Sequence, residues 1–320
     1  MIKLILVAIV PLSSLAAGTG TEPTAFEYLK QMQHAAKSVN YEGVFVYAHD
    51  GQLESMKILH KADKQGDYER ITHLNGSPRE VVRENDVVTC ILSEKKSVVI
   101  DKRQSGNQLL NLLPEDLNKF ARYYDVQVGA TGRIADREGV LITVTPRDKL
   151  RYGYNLWIDK ATYLLLKSEL VNEAGQVVEQ IMFTDINLVD DIPVAKIRSN
   201  LTATQRIQHS DYLRKETVGA VMQNWKIAKM PLGFELTEHK KQHGFQDGVD
   251  VQHLILSDGL ASMSVYIEKL VVSDDKFLGS TYMGAVNVFG AVVNDYQVTV
   301  VGEVPRATVQ MVAESVIFDE

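Results

Sequence analysis

Two-residue turn signals recur along this chain at strand-length intervals, and they constrain the fold more than any other feature. Asp50-Gly51 and Asn75-Gly76 each sit between runs rich in Val, Tyr, Leu and Ile. Such pairs favour tight hairpin turns because both residues tolerate positive φ. Asn85-Asp86, the stretch 136–139 and the stretch 172–175 punctuate later runs in the same way. Sequential hairpins build an antiparallel sheet. The strands expected from this spacing are 41–49, 53–60, 68–74, 80–84, 87–92, 97–101, 125–134, 140–146, 152–159, 163–171 and 177–188.

Two helical segments interrupt the sheet. In 25–39, Phe26, Leu29, Met32, Ala36 and Val39 recur at helical spacing behind Thr24, a candidate N-cap. Residues 108–124 open with Leu109, Leu110, Leu112 and Leu113 and continue past Pro114, which suits a first helical turn. Glu115 and Asp116 favour the same end through the helix dipole, and Leu117, Phe120, Tyr123 and Tyr124 supply a buried side. The expected class is therefore mainly β (α+β).

Several strands are apolar on both faces. Phe45 and Tyr47 alternate with Val44 and Val46, and Ile181 and Phe183 oppose Met182 and Ile186. An antiparallel sheet with one wet face alternates apolar with polar instead. The second face is either covered by helices or lines a lipid-sized cavity. Phe45, Tyr47, Met56, Leu109, Leu112, Met182 and Phe183 are the candidate lining of such a cavity.

Residues 206–221 carry mixed charge and weak periodicity and read as a linker between a domain at 22–205 and a second at 222–320. In the second, Trp225–Met230 reads as a strand returning through Pro231-Leu-Gly233 into 234–240. Strands at 251–257, 261–270, 282–293 and 296–303 follow. Pro305 opens a last helix with Val309, Val312, Ala313 and Val316 as its buried stripe. The cleanest alternation lies at 261–268. Ala261, Met263, Val265 and Ile267 face one way, and Ser262, Ser264, Tyr266 and Glu268 the other, behind a Ser257-Asp258-Gly259 turn. Asp258 and Tyr266 are the candidates for contact with a protein partner.

The first 17 residues read as a secretory signal peptide. Lys3 precedes an apolar run from Leu4 to Val10, and small residues give a cleavage site near Ala16-Ala17. That run is too short to span a membrane, and no later segment is long and apolar enough. The sequence thus predicts an exported protein that does not span the membrane. With 45% hydrophobic and 23% charged residues, its composition is that of a globular chain. The net charge of −7 lacks the basic footprint of a nucleic-acid binder. Cys90 is the single cysteine, so no intramolecular disulfide forms. Its apolar strand predicts a buried thiol.

Candidate chemistry is sparse. His239 and His243 are four apart, but the neighbouring lysines repel a cation, and a strand end running into a solvated loop is expected there. No G-x-S-x-G elbow, P-loop or dinucleotide fingerprint occurs. Asp190-Asp191 reads as a turn. No catalytic residues, metal or cofactor are expected, and binding is favoured over catalysis.

The ordered set of short motifs resembles the RseB/MucB family, the periplasmic regulators of the envelope-stress sigma factor. The first domain contributes Asn40-Tyr-Glu-Gly-Val-Phe-Val-Tyr47, His49-Asp-Gly51 with Glu54 and Met56, Gly76-Ser-Pro-Arg-Glu-Val-Val-Arg83, the run 151–159 and the run 164–169. The second contributes Trp225, Pro231-Leu-Gly-Phe234, His253, 257–261, Ser264-Val265, Ile267-Glu268 and 300–304. The resemblance implies a first domain similar to lipoprotein carriers: an antiparallel half-barrel with covering helices and a hydrophobic cavity. A smaller C-terminal β-rich domain ending in a helix follows. It also implies a negative regulator that binds the periplasmic region of a membrane-bound anti-sigma factor, protects it from proteolysis, and is released by a lipid-type signal such as lipopolysaccharide or lipoprotein acyl chains. The competing reading is a periplasmic lipid or lipoprotein carrier. Homo-oligomer formation is left open.

Overall fold

The computed structural model describes residues 22–318 apart from 86, 93–96, 102–116, 200–204, 209–212, 215–224, 244–249 and 271–275. The signal segment, Leu109 and Leu112 thus lie outside the described residues.

Helix α1 (Ala25–Ser38) starts at the capping box foreseen from Thr24. The Thr24 hydroxyl accepts from the Glu27 amide, and the Glu27 carboxylate accepts from the Thr24 amide. Its buried stripe is Ala25, Tyr28, Leu29, Met32 and Ala35. Phe26 falls about 100° away from Ala25 at 3.6 residues per turn and is left exposed. The helix joins one core with the inner face of a large sheet.

That sheet has twelve strands: β1 (Tyr41–His49), β2 (Gln52–Asp63), β3 (Gly66–His73), β4 (Arg79–Glu84), β5 (Val87–Leu92), β6 (Ser97–Asp101), β7 (Tyr124–Ile134), β8 (Arg137–Pro146), β9 (Gly153–Asp159), β10 (Leu165–Val171), β11 (Val177–Leu188) and β12 (Gln205–Gln208). Their spatial order is β12-β6-β5-β4-β3-β2-β1-β11-β10-β9-β8-β7. Every pairing is antiparallel except that of β12 with β6. The sheet curls until β7, at one edge, comes back against β11. Among the described residues, the helix expected from Pro114 onward is α2 (Leu117–Phe120), which ends before Tyr124 because Tyr124 already begins β7. A single turn, α3 (Val194–Ile197), packs Ile197 and Ile192 on Leu59 and Val82 of the outer face.

The second domain is a seven-stranded sheet ordered β13-β15-β16-β17-β20-β19-β18. Its strands are β13 (Leu213–Arg214), β15 (Glu235–His243), β16 (Asp250–Ser257), β17 (Ser262–Lys269), β18 (Gly279–Met283), β19 (Val286–Val293) and β20 (Tyr296–Gly302). Helix α4 (Arg306–Ala313) covers β19 and β20, burying Val309, Val312 and Ala313 against Val298, Val300 and Val265.

Four sequence expectations are corrected here. The run 282–293 is a strand pair, because Gly284 turns the chain at φ +59°. The last helix stops at Ala313, and Val316 begins a strand, β21 (Val316–Phe318). That strand pairs with β14 (Trp225–Ile227), so Trp225 does not return into 234–240; its ring packs edge-on against Phe318 and Tyr296. The stretch 206–221, expected as a linker, contains the end of β12 in the first sheet and β13 in the second.

Candidate functional site at the domain boundary

Arg151 joins the two domains. It lies in the β8–β9 connection, where Asp148 shapes the turn by accepting from the Leu150 amide at 2.9 Å. The same carboxylate accepts from Arg151 Nε at 3.2 Å and Nη2 at 2.9 Å, which fixes the guanidinium before it crosses the boundary. Across it, Nη1 donates to Asp258 Oδ2 and Nη2 donates to the Leu232 carbonyl at 2.7 Å. The rings of Tyr123, Tyr124 and Phe234 flank the guanidinium at 5.2–5.6 Å. Such faces suit a delocalised cation that has left water.

Asp258 is equally tied. Its Oδ1 accepts from the Leu260 amide at 2.9 Å and the Ala261 amide at 2.8 Å, which builds the β16–β17 turn. Its Oδ2 takes the Tyr124 hydroxyl at 2.9 Å as well as Arg151. Burial and the Asp258 charge hold the Tyr124 hydroxyl far above its ordinary range, so it stays a donor. The expectation that Asp258 contacts a partner is therefore corrected: every lone pair it offers is used inside this chain, and its side chain has no solvent exposure.

A second contact lies where the β18–β19 turn meets β1 and β11. The Gly284 amide donates to Asp50 Oδ2 at 2.6 Å, and the Ala285 amide to Glu179 Oε1 at 2.9 Å. Tyr47 donates to the other Glu179 oxygen at 2.8 Å. Between the two contacts, Asn287 Nδ2 donates to the Tyr152 hydroxyl at 3.0 Å, and Thr308 Oγ1 to the Leu150 carbonyl at 2.8 Å. Leu260 and Ala285 of the second domain pack into the first domain's core.

The candidate cavity residues divide between two faces. Phe45 pairs with Met56 on one side and Phe183 on the other, and all three are buried in the core under α1. Tyr47 shares that face, half-buried. Met182 pairs with Val46 and so points to the opposite face, which corrects its grouping with the others. A β-bulge opposite Val44 and Phe45 reverses the alternation at Thr184 and returns Ile186 to the face of Phe183.

Beside this apolar row runs a polar one that sequence reasoning missed. Tyr41, His60, Glu69 and Arg83 are register partners across β1 to β4, and all are buried. Arg83 donates to both oxygens of Asp67, at 2.8 and 3.0 Å, and His60 Nε2 lies 3.1 Å from Asp67 Oδ1. The period-2 pattern of charged residues on β3 and β4 was the available signal, but only pairing shows that they meet.

Tyr266 is half-buried on the outward face of β17, stacked on His253 at 4.3 Å, while His253 Nε2 lies 3.0 Å from Ser264 Oγ. The alternation foreseen for this strand is observed: Met263, Val265 and Ile267 are buried. His239 is not in a solvated loop. It is buried within β15, with Nε2 2.8 Å from Gln252 Oε1. Cys90 is half-buried on β5 rather than fully buried. Asp191 lies in the loop expected for it and accepts from the buried Lys61.

A curled antiparallel sheet locked to a smaller β domain defines a two-domain binding scaffold. The chain belongs to the MucB/RseB family: residues 24–201 match the MucB/RseB N-terminal domain and residues 220–317 the MucB/RseB C-terminal domain. It is 33% identical over 314 residues to the sigma factor AlgU regulatory protein MucB of Pseudomonas aeruginosa, covering 95% of each chain. It is 26% identical over 305 residues to the sigma-E factor regulatory protein RseB of Escherichia coli K12, covering 95% of this chain and 93% of that one. The solved structure of MucB in complex with MucA(peri) is similar at a TM-score of 0.73 and 28% identity, over 92% of this chain and 99% of that one. A further crystal structure of MucB is similar at a TM-score of 0.62 and 30% identity, over 91% of this chain and 97% of that one. The family's named members are sigma-factor regulatory proteins.

Proposed function

We propose that this protein is a periplasmic regulator that binds the periplasmic region of a membrane-bound anti-sigma factor and protects it from regulated proteolysis. The observation that carries this reading is the likeness, across both domains, to MucB solved in complex with MucA(peri). A simple lipid carrier has no use for the second domain, and the chain's resemblance extends through it. Residues 1–17 serve as the export signal, and the protein acts as a binder rather than an enzyme.

A lipid-type stress signal is the proposed trigger for release. The apolar row of Phe45, Met56 and Phe183 on the inner face is the candidate wall for an acyl chain, and Leu109 and Leu112, outside the described residues, are the further lining expected from the sequence. Each methylene buried there would contribute about 0.8 kcal/mol. Binding drives release only if the ligand favours the partner-free arrangement. A covalent tether between the domains is expected to block lipid-driven release; unchanged release would overturn this coupling.

The test of the main reading is purification of the mature protein from envelopes, with mass spectrometry of bound protein and lipid. An anti-sigma factor in the eluate supports regulation. Lipoproteins or lipids alone would favour the carrier.

A further inference from the structure

The polar row of Tyr41, His60, Glu69 and Arg83 is incompletely hydrogen-bonded. Tyr41 and His60 are fully buried, and Arg83 is 9% exposed. Yet Tyr41 Oη and Arg83 Nε have no hydrogen-bond partner among the described residues, and His60 Nε2 has only its 3.1 Å approach to Asp67. One other buried side-chain atom of the described residues, Arg70 Nε, shares that condition. Three of the four therefore meet in one row. There the Tyr41 ring stacks on His60 at 5.1 Å, and its hydroxyl lies in the fields of Glu69, Asp67 and Arg83. Buried polar atoms without partners cost stability, so a cluster of three marks a place where a further group binds.

The neighbours set the chemistry of that group. Arg83 Nε and the Tyr41 hydroxyl can each donate, so the group must offer an acceptor. Arg83 already holds both oxygens of Asp67 and lies 3.8 Å from Glu69. Even with His60 protonated, two cations face two carboxylates, and no surplus positive charge is left for an anion. An uncharged oxygen fits. The row also lies one step inside the rim of the sheet, where Asp67 is a third exposed. Deeper on the same face come Gly43, Ile58, Ile71 and Val81, and then Phe45 and Met56. The face thus passes from polar to apolar over four residues of strand, about 13 Å.

We propose that this row is the head-group subsite for a lipid whose uncharged ester or amide carbonyl accepts from Tyr41 and Arg83 at the rim, while its acyl chain runs inward along the apolar rows. The inference rests on the reading of the protein as lipid-responsive and specifies the head group that the site accepts. It also explains why Tyr41 is not Phe: the hydroxyl is a burden to the free protein and a donor to the bound one.

The experiment titrates the mature chain with methyl decanoate, decanamide and decanoate by calorimetry. The ester or the amide should bind at least about tenfold more tightly than the carboxylate of equal chain length, which Asp67 and Glu69 repel. The tighter of the two shows which carbonyl the site takes. Tyr41→Phe should weaken that ligand roughly five- to tenfold and yet raise the urea midpoint of the ligand-free protein, because it removes a hydroxyl that has no partner. Equal affinity for all three ligands, an affinity untouched by Tyr41→Phe, or a midpoint no higher than the wild type's would overturn the subsite and leave the acyl-chain reading standing. Binding of none of the three would overturn both.

Discussion

Arg151 and Asp258 meet across the domain boundary with both side chains fully withdrawn from solvent, although 107 positions separate them in sequence. Each is also held by its own domain: Arg151 by Asp148, Asp258 by the amides of Leu260 and Ala261. The bond therefore joins two groups oriented before they meet, and little side-chain entropy is lost in forming it.

Removing Arg151 strands the fully buried Asp258 charge, whereas removing Asp258 leaves Arg151 its bridge to Asp148. Arg151→Met should destabilise the protein by about 3–5 kcal/mol and Asp258→Asn by less. The double variant should recover part of the summed loss, because no fully buried charge is left alone and only the partly exposed Asp148 loses its partner. Urea unfolding of the four proteins gives the coupling. Strictly additive losses would show that the pair is not a unit.

Gly43 shows how closely β1 and β11 approach at the bulge. A Cβ there would lie 2.6 Å from the Asp185 carbonyl oxygen and 3.1 Å from the Phe183 ring. The obstacle is backbone and cannot swing aside. Gly43→Ala should cost about 1–3 kcal/mol by overpacking. Gly139→Ala is the control, since its Cβ would meet nothing closer than 3.6 Å. Chemical denaturation midpoints compare the two, and equal effects would refute the steric account.

Local features were legible in the sequence, and pairings at long range were not. The Thr24 cap, the Asp50-Gly51 hairpin and the alternation of 261–267 follow from neighbouring residues, and each is observed. The bulge at Thr184 was not legible, because its cause lies in β1; it misassigned Ile186. Trp225 pairs with Phe318, 93 positions away, and nothing beside Trp225 in the sequence points there. Asp258 illustrates the limit for the site. Its role as a turn former could be read from Ser257-Asp258-Gly259, but its second bond needs Arg151, and nothing local points there.

Tyr266 remains the sequence-predicted candidate for partner contact that still offers surface. Its ring is stacked on His253 on the outward face of β17, away from the core of Val265 and Ile267. Tyr266→Ser should lower stability by about 0.5–1.5 kcal/mol through loss of that ring pair. Capture of the anti-sigma periplasmic region should weaken at least about tenfold, the effect of a minor hot spot. Titration by calorimetry at a temperature where both proteins are folded separates the two effects. Unchanged affinity would remove Tyr266 from the interface.

The polar row on the inner face predicts the protein's acid limit. Burial alone would raise the Asp67 carboxyl, but the paired hydrogen bonds and charge of Arg83, with the His60 ring nitrogen 3.1 Å away, outweigh it and hold the value at about 2 against 3.8 in the open chain. A carboxyl lowered by folding stabilises the folded state above its unfolded value and loses that contribution as pH falls. The stabilisation from Asp67 should thus be complete above about pH 5, mostly lost by about pH 2 and gone near pH 1. Partial exposure keeps it to about 2 kcal/mol at most. Asp67→Asn removes the titration, so the wild type's advantage over it should shrink steadily as the medium is acidified from pH 5 to pH 2. Thermal unfolding of both proteins across that range measures the difference. A constant gap would mean that Asp67 acts through packing and not through its charge. A gap that widens in acid would reverse the sign and refute the assignment of its partners.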